Sequence, residues 1–430
     1  MKDIVRLKQQ VQAAWAKLPK DVQAHLEGKM RAATIQAEAV QTEAVGTVAD
    51  TQPDRELVML HRVLNEDVET LGPAAVVPEG ILTYVKKDGE VAFGGRDYDA
   101  TDPGWAYCLV AMVETLDSTP AFKVGNEIKI DDNKTLGILG DWGGANAPAL
   151  SVGNVAAEKS DYLIHLGDVY YAGTNGNGGS LDPEQQTNFL NVWPGKAGKS
   201  FALNSNHDMY AHATGYATAL ASPVFQAQGG NCFALYNDAF RIVGLDSAYY
   251  APDSKLTDFP GYMIGSLGDA QGDQMHFLAG QIAKLKPGQK LVLLSHHNGL
   301  NVDGSLPQPS DPGFLLWQQV IGVLKLLPAA ASKNVLWYWG HVHAGAVYKP
   351  QTVNGITISP RCCGHGCIPW GLASELAQSG HVIWYEKQNM GPGGNYFVTN
   401  GYAKLTLNGA SLTEAFCNQQ GAVSWTKPWP

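Results

Sequence analysis

No apolar run in this 430-residue chain is long enough to cross a bilayer. Nothing near the N-terminus has the shape of a secretory leader: Met1 to Glu27 is charged and amphipathic, with no apolar stretch ending in a small-residue cleavage site. The expected location is therefore the cytosol. Cysteine is scarce, six residues (Cys108, Cys232, Cys362, Cys363, Cys367 and Cys417), too scattered for a disulfide scaffold. Basic residues are also few. Thirty Lys and Arg stand against forty Asp and Glu, giving a formal net charge of −10 and a pI near 5.6. That argues against general binding to nucleic acid or to an anionic membrane, either of which would want a basic face. An acidic chain can still bind phosphate where metal ions supply the positive charge. With 45% hydrophobic and 16% charged residues, the chain is globular with a sizeable core.

Three segments are distinguished. Residues 1–72 read as helical. Ile4, Leu7, Val11, Trp15 and Leu18 follow helical spacing up to Pro19, a second helix runs from Asp21 to Val45 with Val22, Leu26, Met30 and Ala33 on one face, and a third runs from Asp54 to Leu71. Their expected role is packing, with a homo-oligomer through the same helices as a further possibility. Residues 73–133 read as a small β-containing region, with a hairpin over Ile81–Phe93 and an ambiguous stretch holding the apolar run Trp105–Val113. From residue 134 to 430 the rhythm is strand, loop, helix. Strands are expected at Thr135–Leu139, Tyr162–Leu166, Phe201–Leu203, Phe240–Leu245, Leu291–Leu294 and Val335–Trp339, and helices at Pro183–Val192, Asp273–Leu285 and Phe314–Leu326. Glycine-rich loops lie at Ala172–Ser180 and Met390–Asn395.

Five clusters sit at the ends of the apolar runs: Gly140-Asp141-Trp142-Gly143, Gly167-Asp168-Val169-Tyr170-Tyr171, Asn206-His207-Asp208, His296-His297 and Gly340-His341-Val342-His343. With 48 glycines and 12 histidines, a chance Gly-His-x-His is expected only about 0.04 times in such a chain. Ligands of open α/β sheets gather beyond the carboxyl ends of strands, where all five clusters fall. Carboxylate, amide and imidazole donors together suit iron, zinc or manganese better than a thiolate-seeking metal. Two hydrolytic metals need a bridging carboxylate, and Asp168 is the natural choice.

The order Asp, Gly-Asp, Asn-His-Asp, His, Gly-His-x-His resembles the calcineurin-like metallophosphoesterases over roughly Thr135 to Gly345. Gly143 stands where many members have a histidine, and Tyr171 where many have an aspartate; the Gly-Asp-x-Gly and Gly-Asp-x-x-Tyr pair is similar to the purple acid phosphatases. The resemblance implies an α/β fold, a four-layer α/β/β/α sandwich preceded by the helices and the small β-containing region. It implies a ferric site of Asp141, Asp168, Tyr171 and His343, because phenolate is a hard anionic donor. A second site of Asp168, Asn206, His296 and His341 would hold Fe(II), Zn(II) or Mn(II). Tyr170 is the alternative phenol, though the motif's spacing selects Tyr171, and His297 is the alternative to His296. The implied reaction is hydrolysis of a small phosphate ester, a monoester first, by a metal-bound hydroxide. His207 would protonate the leaving group or stabilise phosphoryl oxygens, Asp208 would either orient it or be a plain turn carboxylate, and His297 is a second candidate for a phosphate contact. A phosphodiesterase acting on cyclic nucleotides or phospholipid headgroups, and a non-catalytic binding protein on the same fold, are the other readings.

The segment Arg361-Cys362-Cys363-Gly364-His365-Gly366-Cys367 is too compact for a structural zinc loop. It reads as a glycine-rich loop near the site mouth, with Arg361 or His365 as a possible substrate contact. His165 reads as a core histidine, and Trp337, Trp339, Trp370, Trp425 and Trp429 as packing.

Overall fold

Two sheets packed face to face organise the chain from residue 127 onward. The computed structural model describes residues 3–42, 54–67, 83–85, 91–93, 98, 102–177, 181–368, 373–386, 388–390 and 396–430. The expected ends of the second and third N-terminal helices, most of the Met390–Asn395 loop, and Trp370 lie outside them.

The N-terminal part contains α1 (Ile4–Lys17), α2 (Lys20–Thr42) and α3 (Arg55–Asn65). Asp3 caps α1 by accepting from the backbone N–H groups of Val5 and Arg6, and Pro19 stands between α1 and α2. The apolar stripes read from the sequence face inward: Leu7, Val11, Leu26 and Met30 are buried, with Leu57, Leu60 and Val63 of α3. They share one apolar cluster with α4 (Tyr107–Glu114), the formerly ambiguous run, which is buried almost all round. β1 (Thr83–Val85) and β2 (Val91–Phe93) pair antiparallel, as the hairpin expectation requires.

In the first large sheet, β4 (Thr135–Leu139), β5 (Tyr162–His165) and β6 (Ser200–Ala202) are parallel. The second contains β3 (Glu127–Lys129), β7 (Phe233–Tyr236), β8 (Phe240–Gly244), β9 (Lys290–Ser295), β10 (Asn334–Trp339), β11 (Gly345–Tyr348), β12 (Gln351–Val353), β13 (Ile356–Cys363) and β14 (Val382–Tyr385). Its centre, β8-β9-β10-β13, is parallel. β15 (Gln388–Met390) and β16 (Tyr396–Val398) form a separate pair. The last three strands, β17 (Gly401–Asn408), β18 (Ser411–Asn418) and β19 (Val423–Trp429), return to extend the first sheet antiparallel from β4.

Leu136, Ile138, Ile164 and Phe201 of one sheet meet Ile242, Val292, Leu294 and Leu336 of the other in a buried layer. Strands buried on both faces read as unbroken apolar runs, as Leu336-Trp337-Tyr338-Trp339 does. Outside the first sheet lies α5 (Ala147–Glu158), with Ala149, Val152 and Ala156 in the same cluster as Leu139 and Leu163. On the same side come α6 (Asn206–Tyr210) and α7 (Thr214–Ala221). Outside the second sheet, α8 (Asp273–Ala283) and α9 (Phe314–Leu324) bring Leu278, Ile282, Leu316 and Val320 against Leu291, Leu293 and Val335; α10 (Ala373–Gln378) follows. The layers are helix, sheet, sheet, helix, which is the expected sandwich. The helix expected at Pro183–Val192 is a shorter π-helical stretch, Gln185–Leu190. Among the described residues no helix is long and apolar enough to cross a membrane.

One ionic contact joins the two sheets. Arg361 of β13 grips Glu414 of β18 through two parallel bonds, Nε to Oε2 at 2.7 Å and Nη2 to Oε1 at 2.8 Å. Tyr338 donates to the same carboxylate at 2.8 Å. Arg361 is thus a fully committed interior residue, which corrects its reading as a candidate substrate contact.

Candidate metal centre

Five strand ends deliver the site. Asp141 follows β4, Asp168 follows β5, Asn206 opens α6 after β6, His296 follows β9, and His341 and His343 follow β10. The first three come from one sheet and the others from its partner, so the donors meet where the two sheets' carboxyl ends adjoin. Asp141, Asp168 and His341 have positive φ (55°, 76° and 64°), a conformation that costs on the order of 1–3 kcal/mol per non-glycine residue and collects at functional sites. The preceding glycines make room. Gly167 has φ 107°, and a Cβ there would fall 2.9 Å from Nδ1 of His296; at Gly340 it would fall 2.6 Å from Asp141 Oδ2.

The donor atoms fall into two groups sharing one carboxylate. In the first, Tyr170 Oη lies 2.8 Å from Asp168 Oδ2, 3.4 Å from Asp141 Oδ1 and 3.3 Å from His343 Nε2, and His343 Nε2 is 3.5 Å from Asp141 Oδ1. In the second, Asn206 Oδ1 lies 2.8 Å from His296 Nε2 and 3.2 Å from His341 Nδ1, and His296 Nε2 is 3.2 Å from Asp168 Oδ1.

Protons decide what the second group can hold. His296 Nδ1 donates to the Leu166 carbonyl at 2.9 Å, which leaves Nε2 as a lone pair in the neutral ring. Burial keeps the ring neutral, holding His296 below its usual range against the pull of Asp168. The Nε2 lone pair therefore faces Asn206 Oδ1 and Asp168 Oδ1, two more acceptors, and Asp168 Oδ1 has no hydrogen-bond donor. Three acceptors aimed at one point without a proton fit a cation. Among the described residues, neither Asp141 nor Asp168 pairs with a lysine or arginine, though both are buried.

Burial and the neighbouring Asp168 charge push Asp141 well above the carboxylate range. Burial opposes ionisation of Asp168 too, but the His296 and His207 imidazoles outweigh it and hold that carboxyl well below its usual range. Burial, then Asp168 and Asp141, raise the Tyr170 phenol well above 10. Burial, then the His297 and His296 rings, lower His341. For His343 the causes are burial first and the Arg55 charge second, ahead of the opposing pull of Asp168.

The tyrosine expectation is corrected. Tyr170, not Tyr171, joins the first group, and the Tyr171 hydroxyl donates instead to Asp102. The Asp102 carboxylate also accepts from the backbone N–H of Tyr98 and of Gly104, each at 2.8 Å. Gly104 leaves space for the Tyr171 ring, since a Cβ would fall 2.3 Å from it. Trp105 then walls the site, edge to face with Tyr170 at 5.8 Å and Tyr171 at 5.3 Å, and 5.6 Å from the His207 ring. The apolar run beginning at Trp105 and the neighbouring Asp102 carried no site signal, because their contribution depends on a turn that brings them to Tyr171.

His207 Nδ1 donates to the Tyr171 carbonyl at 2.6 Å, and Nε2 has no hydrogen-bond partner among the described residues. Of the two readings of Asp208, the structure shows the turn carboxylate and no bond to His207. Asp208 Oδ2 is bonded to Ser205 Oγ at 2.5 Å, and the Ser205 hydroxyl caps α6 by accepting from the Asp208 N–H. His297 departs from expectation as a phosphate contact. Ser247 Oγ lies 2.9 Å from Nδ1, and Nε2–H donates to the Tyr262 carbonyl at 2.8 Å. Burial drives its pKa down to about 3, so the ring is neutral with both nitrogens committed.

The cysteine loop is interior. The Cys362 thiol faces the Val342 carbonyl at 3.1 Å and Cys363 that of Ile138 at 3.2 Å; His365 is buried, with its pKa lowered by burial to about 3. His165 lies among Trp142, Phe189 and Trp193, and Trp337 stacks on Trp317.

No protein-family model and no curated protein matches the chain. Solved structures of similar shape include a purple acid phosphatase from seeds of yellow lupin (Lupinus luteus), with TM-score 0.47, 14% identity, and coverage of 70% of this chain and 54% of that one. The chain thus spans about half the length of the lupin enzyme. PhoD is similar at TM-score 0.45 and 11% identity, over 69% of this chain and 68% of the other. GAP50, the anchor in the inner membrane complex of Plasmodium, is similar at TM-score 0.44 and 13% identity, over 69% and 88%.

Proposed function

We propose that this chain hydrolyses phosphate esters at a dinuclear metal centre, with phosphomonoesters as its substrate class. In this reading a ferric ion occupies the group of Asp141, Asp168, Tyr170 and His343. Ferrous iron, zinc or manganese occupies that of Asp168, Asn206, His296 and His341. The observation that carries the reading is the divided carboxylate: Asp168 turns Oδ2 to the phenol-containing group and Oδ1 to the imidazole-containing one.

Metal ions held there would supply Lewis acidity toward phosphoryl oxygens and a water of lowered pKa. The remaining work falls to the chain's own groups. A hard phenolate suits a trivalent ion, and the buried Tyr170 phenol must give up its proton to become one. His207 is supported as the proton donor by its placement, with Nδ1 held by a backbone carbonyl and Nε2 left for the substrate. With Nδ1–H tied to the Tyr171 carbonyl, the second proton of the imidazolium form sits on Nε2, from which it can pass to the alkoxide as the phosphorus–oxygen ester bond breaks. Hydrolysis then yields an alcohol and inorganic phosphate.

The test is turnover of p-nitrophenyl phosphate and bis(p-nitrophenyl) phosphate by the full chain loaded with iron and zinc. Monoester hydrolysis that disappears on chelation is expected, with kcat in the ordinary range of about 1–10³ s⁻¹. Two bound metals with no turnover of either ester would leave the non-catalytic reading in its place.

A further inference from the structure

From outside the sheet sandwich, an arginine stacks on the aromatic wall of the site. Arg55 opens α3, and its guanidinium carbon lies 4.9 Å from the centroid of the Trp105 ring. Trp105 is fully buried and itself contacts the rings of Tyr170, Tyr171 and His207. The cation is therefore carried on the aromatic wall that lines the phenol and the free-nitrogen histidine. Arg55 remains only half-buried. Both arginine and lysine are long enough to reach an anion, but only arginine combines stacking on an indole with a planar fork for phosphate oxygens.

The helix is anchored so that this reach is fixed. Leu57, Leu60 and Val63 are buried in the cluster shared with α4, and α2 is tied to the far rim by Lys29, whose ammonium donates to the Asp258 carbonyl at 2.8 Å. From the stretch that follows Asp258, Tyr262 presents its carbonyl to His297 and Met263 meets the Asn206 amide at 3.8 Å. The N-terminal helices thus touch the site's surroundings on both flanks.

We infer that Arg55 is a substrate-binding residue, a phosphate clamp brought by the N-terminal helices that favours the doubly charged phosphoryl group of a monoester over the singly charged group of a diester. The inference deepens the phosphate-ester reading and rests on it. A guanidinium over a fixed indole pays little conformational entropy on binding, and its charge-assisted bonds count most when the ligand carries two negative charges. It also gives the helices a role at the site beyond packing.

The experiment compares wild type with Arg55→Gln and Arg55→Lys in the full metal-loaded chain. Binding of inorganic phosphate is read by calorimetry, and KM is read on mono- and bis-p-nitrophenyl phosphate. Arg55→Gln should weaken phosphate about 10–100-fold. It should raise the monoester KM similarly and change the diester KM by no more than about threefold, with two metals still bound; Arg55→Lys should fall between. Unchanged phosphate affinity, equal shifts for both esters, or loss of metal together with affinity would overturn the assignment. If Arg55→Gln does not fold, the milder Arg55→Lys decides through the same mono-to-diester ratio. A wild type that binds phosphate through Arg55 but turns over neither ester would sink the hydrolase reading while leaving the clamp standing.

Discussion

Replacing each of the adjacent tyrosines by phenylalanine separates the phenol that lies in the donor group, Tyr170, from the one bonded to Asp102, Tyr171. Tyr170 Oη is one of four donors in the first group, within 2.8–3.4 Å of the other three. Without it that group keeps only Asp141, Asp168 and His343. Loss of even a supporting contact to a metal ligand costs about 10–100-fold in affinity, so loss of a ligand should cost at least that. Tyr171→Phe instead removes a hydrogen bond to a carboxylate, a change worth roughly 1.5–3 kcal/mol of folding stability. Because Asp102 keeps its bonds from the Tyr98 and Gly104 amides, the lower end is expected. The assay is visible absorption and metal content of the iron-loaded protein, with urea unfolding in parallel. Tyr170→Phe should remove the phenolate-to-ferric band and weaken one metal, while Tyr171→Phe should keep band and metals but unfold earlier. A band lost in Tyr171→Phe and kept in Tyr170→Phe would refute the assignment of the phenol.

Asp168→Asn should lose one or both metals and at least about 10³-fold in kcat, since the shared carboxylate serves both groups; near-normal metal content and rate would mean the bridge is elsewhere. His207→Ala should keep both metals and lower kcat about 10²–10⁴-fold, less for esters with acidic leaving groups; equal losses on aryl and alkyl phosphates would remove its role as proton donor. Arg361→Met should destabilise the fold by about 3–5 kcal/mol by stranding buried Glu414, with the metal content of the folded fraction unchanged, as read by urea unfolding and metal analysis. His165 has its pKa lowered by burial to about 3, so the unfolded chain takes up a proton near pH 6.5 that the native one refuses. Its contribution to stability is whole above pH 6.5 and is lost toward pH 3 at on the order of 1 kcal/mol per pH unit. His165→Phe should therefore gain on wild type as pH falls from 7 to 4.5 in unfolding titrations, and a constant difference would contradict the cause assigned.

The candidate donor cluster was legible where chemistry and strand ends coincide. Asp141, Asp168, Asn206, His296, His341 and His343 each follow an apolar run, and parallel strands buried on both faces announce themselves as such runs. The choice between Tyr170 and Tyr171 was not legible, because it depends on Asp102 and Gly104, about 70 residues upstream, offering a place for the second ring. Asp208 and His297 carry catalytic-looking side chains, yet Ser205, Ser247 and the Tyr262 carbonyl, contacts that no local pattern reveals, absorb them. The C-terminal strands escaped notice for a different reason. Lys404 and Thr406 interrupt β17, and β18 buries a charged residue, Glu414, whose partner Arg361 comes from the other sheet. The helical stripes of α1 and α2 were plain from their spacing, but nothing in that spacing said that the helices would pack beside Trp105.

The most direct test of the central claim is anomalous diffraction from crystals of the metal-loaded chain, recorded at the iron and zinc edges. Two peaks are predicted, about 3.5–4 Å apart, on either side of the Asp168 carboxylate, with iron on the Tyr170 side and the second metal beside Asn206, His296 and His341. A single peak, or peaks that leave Asp168 bound to only one ion, would contradict it.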